Sequence, residues 1–275
     1  MLRRFVCSCT LLSALTANAQ IELGFRVYPT PALQHEPAVV QFAIKNNTAD
    51  TITLGSNGNA RLYFDLRSPE RHLIRRIPGD IIEPLSVEAT ETESVSNRVL
   101  RGGFSIDPGA YIVEARVEFG GKAFISEPSR VDIVAAPELT KLDAVTRFGS
   151  RSFSVRMLDR ARHRHIFLRI DDPVSNICYA VIDMGRTVNA GPPTLKLDGE
   201  GRVHVLQQAS PTRYRHWIVD AYGTIADHES HESPYGQPRL VEDESGELRV
   251  DAPESSVEPE IEKPVPFETE LPGRR

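Results

Sequence analysis

The chain has 275 residues, 40% hydrophobic and 25% charged, with a formal net charge of −6. Those proportions belong to a soluble globular protein and exclude a disordered or membrane-embedded one. A pI near 5.8 argues against nucleic acid as a partner, which would require a concentrated positive field. The length suits one or two domains.

Residues 1–19 read as a secretory signal peptide. Arg3 and Arg4 precede an uncharged apolar run, Phe5 to Leu15. Ala17-Asn18-Ala19 then offers small residues for cleavage between Ala19 and Gln20. The run is far shorter than the roughly 20 residues a spanning helix needs. The expected location is therefore periplasmic or secreted, and the mature chain is not expected to span a membrane. Cys7 and Cys9 leave with the signal, so Cys178 is the only cysteine of the mature chain. It lies in a run of strand-formers, Ile177 to Ile182, which suits a buried, inert thiol.

Residues 20–136 read as β-strands with turn punctuation. Val39 to Ile44 ends at the turn cluster Asn46-Asn47-Thr48, and Ile52-Thr53-Leu54 ends at Gly55 to Asn59. Leu62 to Leu66 alternates. Tyr111, Val113, Ala115, Val117 and Phe119 alternate with Ile112, Glu114, Arg116 and Glu118, which predicts a strand with one buried face. Gly120-Gly121 predicts a hairpin into Ala123-Phe124-Ile125, and Arg130 to Val134 closes the segment. Asp107-Pro108-Gly109-Ala110-Tyr111 resembles the tyrosine corner of immunoglobulin-like and fibronectin-like sandwiches. Over residues 21–135 this resemblance implies a Greek-key sandwich and nothing about activity. The paired cysteines of antibody domains are absent.

Residues 137–150 read as a linker. A second β region, 151–250, carries a repeat. Pro193 to Val205 and Pro238 to Val250 share P-x-L-x-x-D-x-x-G-x-[VL]-x-V at an offset of 45. A weaker echo, at an offset of 37, relates Ile166-Phe167-Leu168 and Val181-Ile182-Asp183 to Val203-His204-Val205 and Ile218-Val219-Asp220. Leu195 to Val205 resembles the strand–turn–strand core of sialidase-type propeller blades, and the likeness extends over residues 164–250. About 100 residues supply roughly two blades, whereas propellers have at least four. The expectation is a small β domain of blade-like hairpins, with half an assembly completed by another copy as the alternative. Residues 251–275 hold seven acidic residues, three basic ones and five prolines, the composition of a disordered acidic tail.

The chemistry-bearing motifs are sparse. There is no G-x-S-x-G, P-loop, G-x-G-x-x-G or H-E-x-x-H. Sialidase-like catalysis would need an arginine cluster and a nucleophilic tyrosine on a complete propeller. Asp227-His228-Glu229-Ser230-His231-Glu232 is metal-like in composition, but with no third ligand identifiable elsewhere it reads as a solvated loop. Asp198 and Asp243 read as turn caps. Arg151, Arg156, Arg160, Arg162, Arg164 and Arg169, with His163 and His165, form the one basic stretch, opposed locally only by Asp159. It reads as a solvated face, or as a site for an acidic glycan, an anionic head group or the acidic tail. Tyr214, His216, Trp217 and Tyr222 offer a possible sugar platform, although alternation places Trp217 in the core.

The sequence thus predicts an all-β protein: an immunoglobulin-like sandwich, a smaller repeat-bearing β domain and an acidic tail. No catalytic residue, metal ligand, binding residue or cofactor is assigned. The expected function is that of a non-enzymatic binding, scaffold or accessory protein of the cell envelope, with a protein or glycan partner. A glycan-active extracellular protein is one alternative. A peptidase-inhibitor-like sandwich, presenting Ser86 to Arg101 as a protruding loop, is another. No oligomeric state follows from the sequence.

Overall fold

The computed structural model describes residues 20–55, 57–79, 85–100, 106–188, 191–244 and 246–253. The signal peptide expected over 1–19, and the tail beyond residue 253, lie outside them. The protein is all-β, and the described residues contain no helix, hence none long and apolar enough to cross a membrane. The chain divides into two compact units, Met1–Ala136 and Pro137–Arg275.

The first unit packs two sheets on one core. In the smaller sheet, Ala38–Asn46 (β3) lies between Ile21–Tyr28 (β1) and Thr92–Leu100 (β8). The larger runs from Ala32–Leu33 (β2) through Ser129–Val134 (β11), Gly109–Phe119 (β9), Ala60–Arg67 (β5) and Ile52–Leu54 (β4) to Leu85–Val87 (β7). Leu73–Pro78 (β6) pairs with β5, and Lys122–Ile125 (β10) with β9. Alternation decides what is buried. Ala38, Val40, Phe42 and Ile44 of β3 face Leu62, Phe64, Val113, Ala115 and Val117 of the other sheet, and Phe25 stacks on Phe64 at 5.4 Å. Tyr111 Oη donates to the Asp107 carbonyl at 2.7 Å, a bond that ties the start of β9 to the preceding turn. Asn46 is fully buried and fully used. Its Nδ2 donates to the Asp50 and Val87 carbonyls, and its Oδ1 accepts from Thr48. Residues 86–101 are not the protruding loop expected of an inhibitor: 85–87 and 92–100 are strands, and Arg101 lies outside the described residues.

The second unit consists of two four-stranded antiparallel meanders and a hairpin. Glu138–Thr146 (β12), Gly149–Arg160 (β13), His163–Asp172 (β14) and Ile177–Arg186 (β15) form the first. Thr194–Leu197 (β16), Val203–Gln208 (β17), Arg213–Val219 (β18) and Ile225–Glu232 (β19) form the second. Arg239–Glu242 (β20) pairs with Leu248–Asp251 (β21). The first strands, β12, β16 and β20, are successive neighbours. Phe153, Val155, Leu168 and Ile170 of the first meander pack against Val203, Val205 and Val219 of the second. On the second meander's other face, Leu206 and Tyr214 pack against Leu240 and Val250 of the hairpin.

Residues 137–150, expected as a linker, instead supply β12 and the turn into β13. Leu139, Leu142 and Ala144 are only half-buried, so the strand lacks the strong alternation that marks β9. The turn after β12 is closed by Thr146, whose Oγ1 accepts from Phe148 N at 3.1 Å. Asp198 and Asp243 close the corresponding turns, Asp198 Oδ1 accepting from Glu200 N and Arg202 N, and Asp243 Oδ1 from Glu247 N. The two segments 45 residues apart form the hairpins β16–β17 and β20–β21. The offset of 37 aligns β14 with β17 and β15 with β18, which hold different places in their sheets.

Candidate functional site

A group of ionisable side chains with metal-ligating atoms lies on one face of the second meander. Pairing of β17 with β18 sets Leu206 opposite His216 and His204 opposite Ile218. Pairing of β18 with β19 sets His216 opposite Glu229 and Tyr214 opposite His231. Cross-strand partners share a face, so His204, His216, Glu229 and His231 converge. His228 and His231, three apart on a strand, point to opposite faces. His228 instead stacks on Trp217 at 3.9 Å. Residues 227–232 thus form strand β19 rather than the solvated loop expected, and His216 supplies the third nitrogen or oxygen donor that local spacing did not reveal.

A hydrogen-bonded chain runs into this group from the Asp198 turn. His204 Nε2 lies 3.2 Å from Asp198 Oδ2, and His204 Nδ1 lies 3.0 Å from His216 Nε2. Burial acts to raise the Asp198 carboxyl, but hydrogen bonds from Arg202 and His204 outweigh it and hold the pKa below the usual range. An ionised carboxylate only accepts, so His204 Nε2 donates to it. In the tautomers that continue this chain, His204 Nδ1 accepts from His216 Nε2–H, and His216 Nδ1 keeps a lone pair. His216 is 4% exposed. Burial pushes its pKa down to about 4, helped by the neighbouring His204 and His231. His231 Nε2 is buried without a hydrogen bond, 3.3 Å from Glu229 Oε2. One donor atom from each of His216, Glu229 and His231 lies within 4.8 Å of the other two.

The other sequence candidates are dispersed. The basic stretch folds into the β13–β14 hairpin, whose turn places Ala161 and Arg162 at φ of 48° and 68°. Its charges meet carboxylates distant in sequence as well as near ones. Arg156 pairs with Glu138, Arg160 and His165 with Asp183, Arg164 with Asp159, and Arg169 with Asp171. Arg151 is buried and belongs to the interior, not to a solvated face. Its Nε donates to the Ala221 carbonyl at 3.0 Å and its Nη1 to the Ser150 carbonyl at 2.8 Å. Its guanidinium lies 4.4 Å from the centre of the Tyr179 ring and 5.4 Å from that of Tyr222. Tyr214, His216, Trp217 and Tyr222 do not form one platform. Tyr214 and His216 are buried on one face, Trp217 packs half-buried on the other, and Tyr222 sits in the following turn. Cys178 is half-buried. Burial, then the Asp171 charge, pushes its thiol up to about 12, so it stays protonated and unreactive.

No protein-family model matches the chain, and no curated protein matches it. Among solved structures, it is similar to an alkylpurine DNA glycosylase of Pseudomonas fluorescens bound to DNA containing an abasic site analogue. That match has 14% identity and a TM-score of 0.30, and covers 43% of this chain and 32% of the glycosylase chain. A DUF4784 family protein of Bacteroides caccae matches at 7% identity and a TM-score of 0.22, with 84% of each chain covered. At these scores neither likeness carries an argument about fold or function.

Proposed function

We propose that this is an exported, non-enzymatic binding or accessory protein of the cell envelope. Its immunoglobulin-like first unit serves as a spacer, and its blade-like second unit engages a partner protein by strand addition. The observation that carries this reading is the third sheet of the second unit. The two preceding sheets continue from their second strand to a third, β13 to β14 and β17 to β18. In the hairpin β20–β21, the outer edge of Leu248–Asp251 has no partner strand among the described residues. An unpaired edge presents a row of N–H and C=O groups that a partner strand satisfies. A cleft of about 830 Å³ is lined by Thr194 and Lys196 of β16, Arg239 and Leu240 of β20, and Asp251 at the end of β21, a mixture of both charges and apolar surface.

The edge can be blocked without breaking the hairpin. Asp243 N donates to the Glu247 carbonyl, so pairs alternate from there along the ladder, and Leu240–Val250 is a non-hydrogen-bonded pair. The Val250 N–H therefore points outward. The mature protein is used to capture partners from envelope extracts of its own host, in parallel with V250P. A partner captured by the wild type and lost with V250P is expected. The same partner retained by a folded V250P, or none captured by either, refutes strand addition.

A further inference from the structure

We infer that His216, Glu229 and His231 form a binding site for a divalent transition metal of the zinc type, oriented from behind by His204 and Asp198. Three features of the geometry carry this. The three side chains present two imidazole nitrogens and a carboxylate within 4.8 Å of one another, from two adjacent strands whose register holds them on one face. Two imidazoles and a carboxylate are a donor set for zinc, with coordination left open to water or to an outside ligand. The surroundings are already arranged as an outer shell. A histidine that binds metal normally passes its other N–H to a carboxylate or an equivalent acceptor, which fixes its tautomer. Here His216 Nε2 meets His204 Nδ1 at 3.0 Å, and His204 Nε2 meets Asp198 Oδ2 at 3.2 Å. Asp198 is itself fixed by the side chain and backbone N–H of Arg202. Finally, the ring nitrogen of His231 is buried beside Glu229 and has no hydrogen bond. A buried ring nitrogen that faces a carboxylate oxygen without a hydrogen bond calls for an explanation, and a cation bound between His231, Glu229 and His216 supplies one.

The packing places the site on the covered face of the second meander. Tyr214 and Leu206 share that face and pack against Leu240 of the hairpin. Glu229 is exposed, which leaves an approach from solvent. Asp227, also on this face and felt electrostatically by His216, adds negative charge that favours a cation.

The test uses the untagged mature protein, stripped of metal and titrated with Zn2+ by calorimetry. Metal content is counted by mass spectrometry after dialysis, and Co2+ is used as a spectroscopic probe. One Zn2+ per chain is expected, with a visible Co2+ absorption typical of four or five ligands. E229Q and H231N, at exposed and half-buried positions, are expected to weaken binding at least ~10-fold each, and D198N, acting through His204, about 10-fold. H228N, on the opposite face, is expected to leave affinity unchanged. H216N tests the buried ligand, and E229Q and H231N keep the test decisive if that variant fails to fold. No stoichiometric Zn2+ binding, or binding that E229Q and H231N leave intact, overturns the assignment.

Discussion

Arg151 gives the sharpest test of how the second unit is held together. The side chain leaves β13 of the first meander and reaches the Ala221 carbonyl in the turn after β18 of the second. It is 2% exposed and in no ion pair among the described residues, and it is held by two carbonyls and two tyrosine rings. Lysine at this position keeps the charge but loses the planar fork, so it cannot serve both carbonyls and lie over the rings together. A buried carbonyl left without its donor costs about 1–3 kcal/mol, and a desolvated cation–π contact contributes up to about 2 kcal/mol. R151K is therefore expected to lose about 2 kcal/mol. R151A, which adds a cavity and frees both carbonyls, is expected to lose about 4 kcal/mol. The single tryptophan reports on this unit directly, since Trp217 packs against the core shared by the two meanders. Urea unfolding followed by Trp217 emission gives the midpoint and slope. An R151K unfolding free energy within about 0.5 kcal/mol of wild type, the range of an ordinary surface change, refutes the clamp.

Further predictions follow from the turns. Y111F removes the bond to the Asp107 carbonyl and is expected to cost about 1 kcal/mol in thermal unfolding, with the strand content by circular dichroism unchanged. Gly223 sits at φ +93°, and a Cβ there would fall on the Ala180 side chain, so G223A is expected to cost more than about 1 kcal/mol in urea unfolding. For acid stability the sign is set by Asp220. Burial acts to raise its carboxyl, but hydrogen bonds from the backbone of Thr224 and Tyr222 prevail and lower the folded pKa below 3.8. The native state therefore binds this proton less readily than the unfolded chain does. The stability it contributes is fully present above about pH 4 and is lost as pH falls through the lower folded value. Urea midpoints at pH 7, 4 and 3 are expected to drop on acidification by less in D220N than in wild type, and equal drops would contradict this.

The parts legible in the sequence are those fixed by neighbours along the chain. Strand β9 shows its two faces through strict alternation, and the Gly120-Gly121 hairpin adopts φ values of +57° and +73° that glycine tolerates at little cost. The D-x-x-G turns at 198 and 243 cap their own backbone as the local pattern implies, whereas the equivalent turn at Thr146 uses a hydroxyl and escaped the pattern.

The sequence by itself determined the strand-forming character of the chain, the recurrence of the D-x-x-G hairpin and the carboxylate caps, because each depends on residues a few positions apart. Tertiary structure alone decided which side chains meet. His216 and Glu229 are thirteen positions apart, and their meeting depends on the register of β18 against β19, which shifts at Ile218–Val219. A one-residue slip in that register would turn every side chain of β19 to the other face and bring His228, not His231, to His216. Arg151 in the same way became an interior clamp only when its strand was laid against the Ala221 turn. A residue's local sequence does not encode the face and partner that distant pairing gives it.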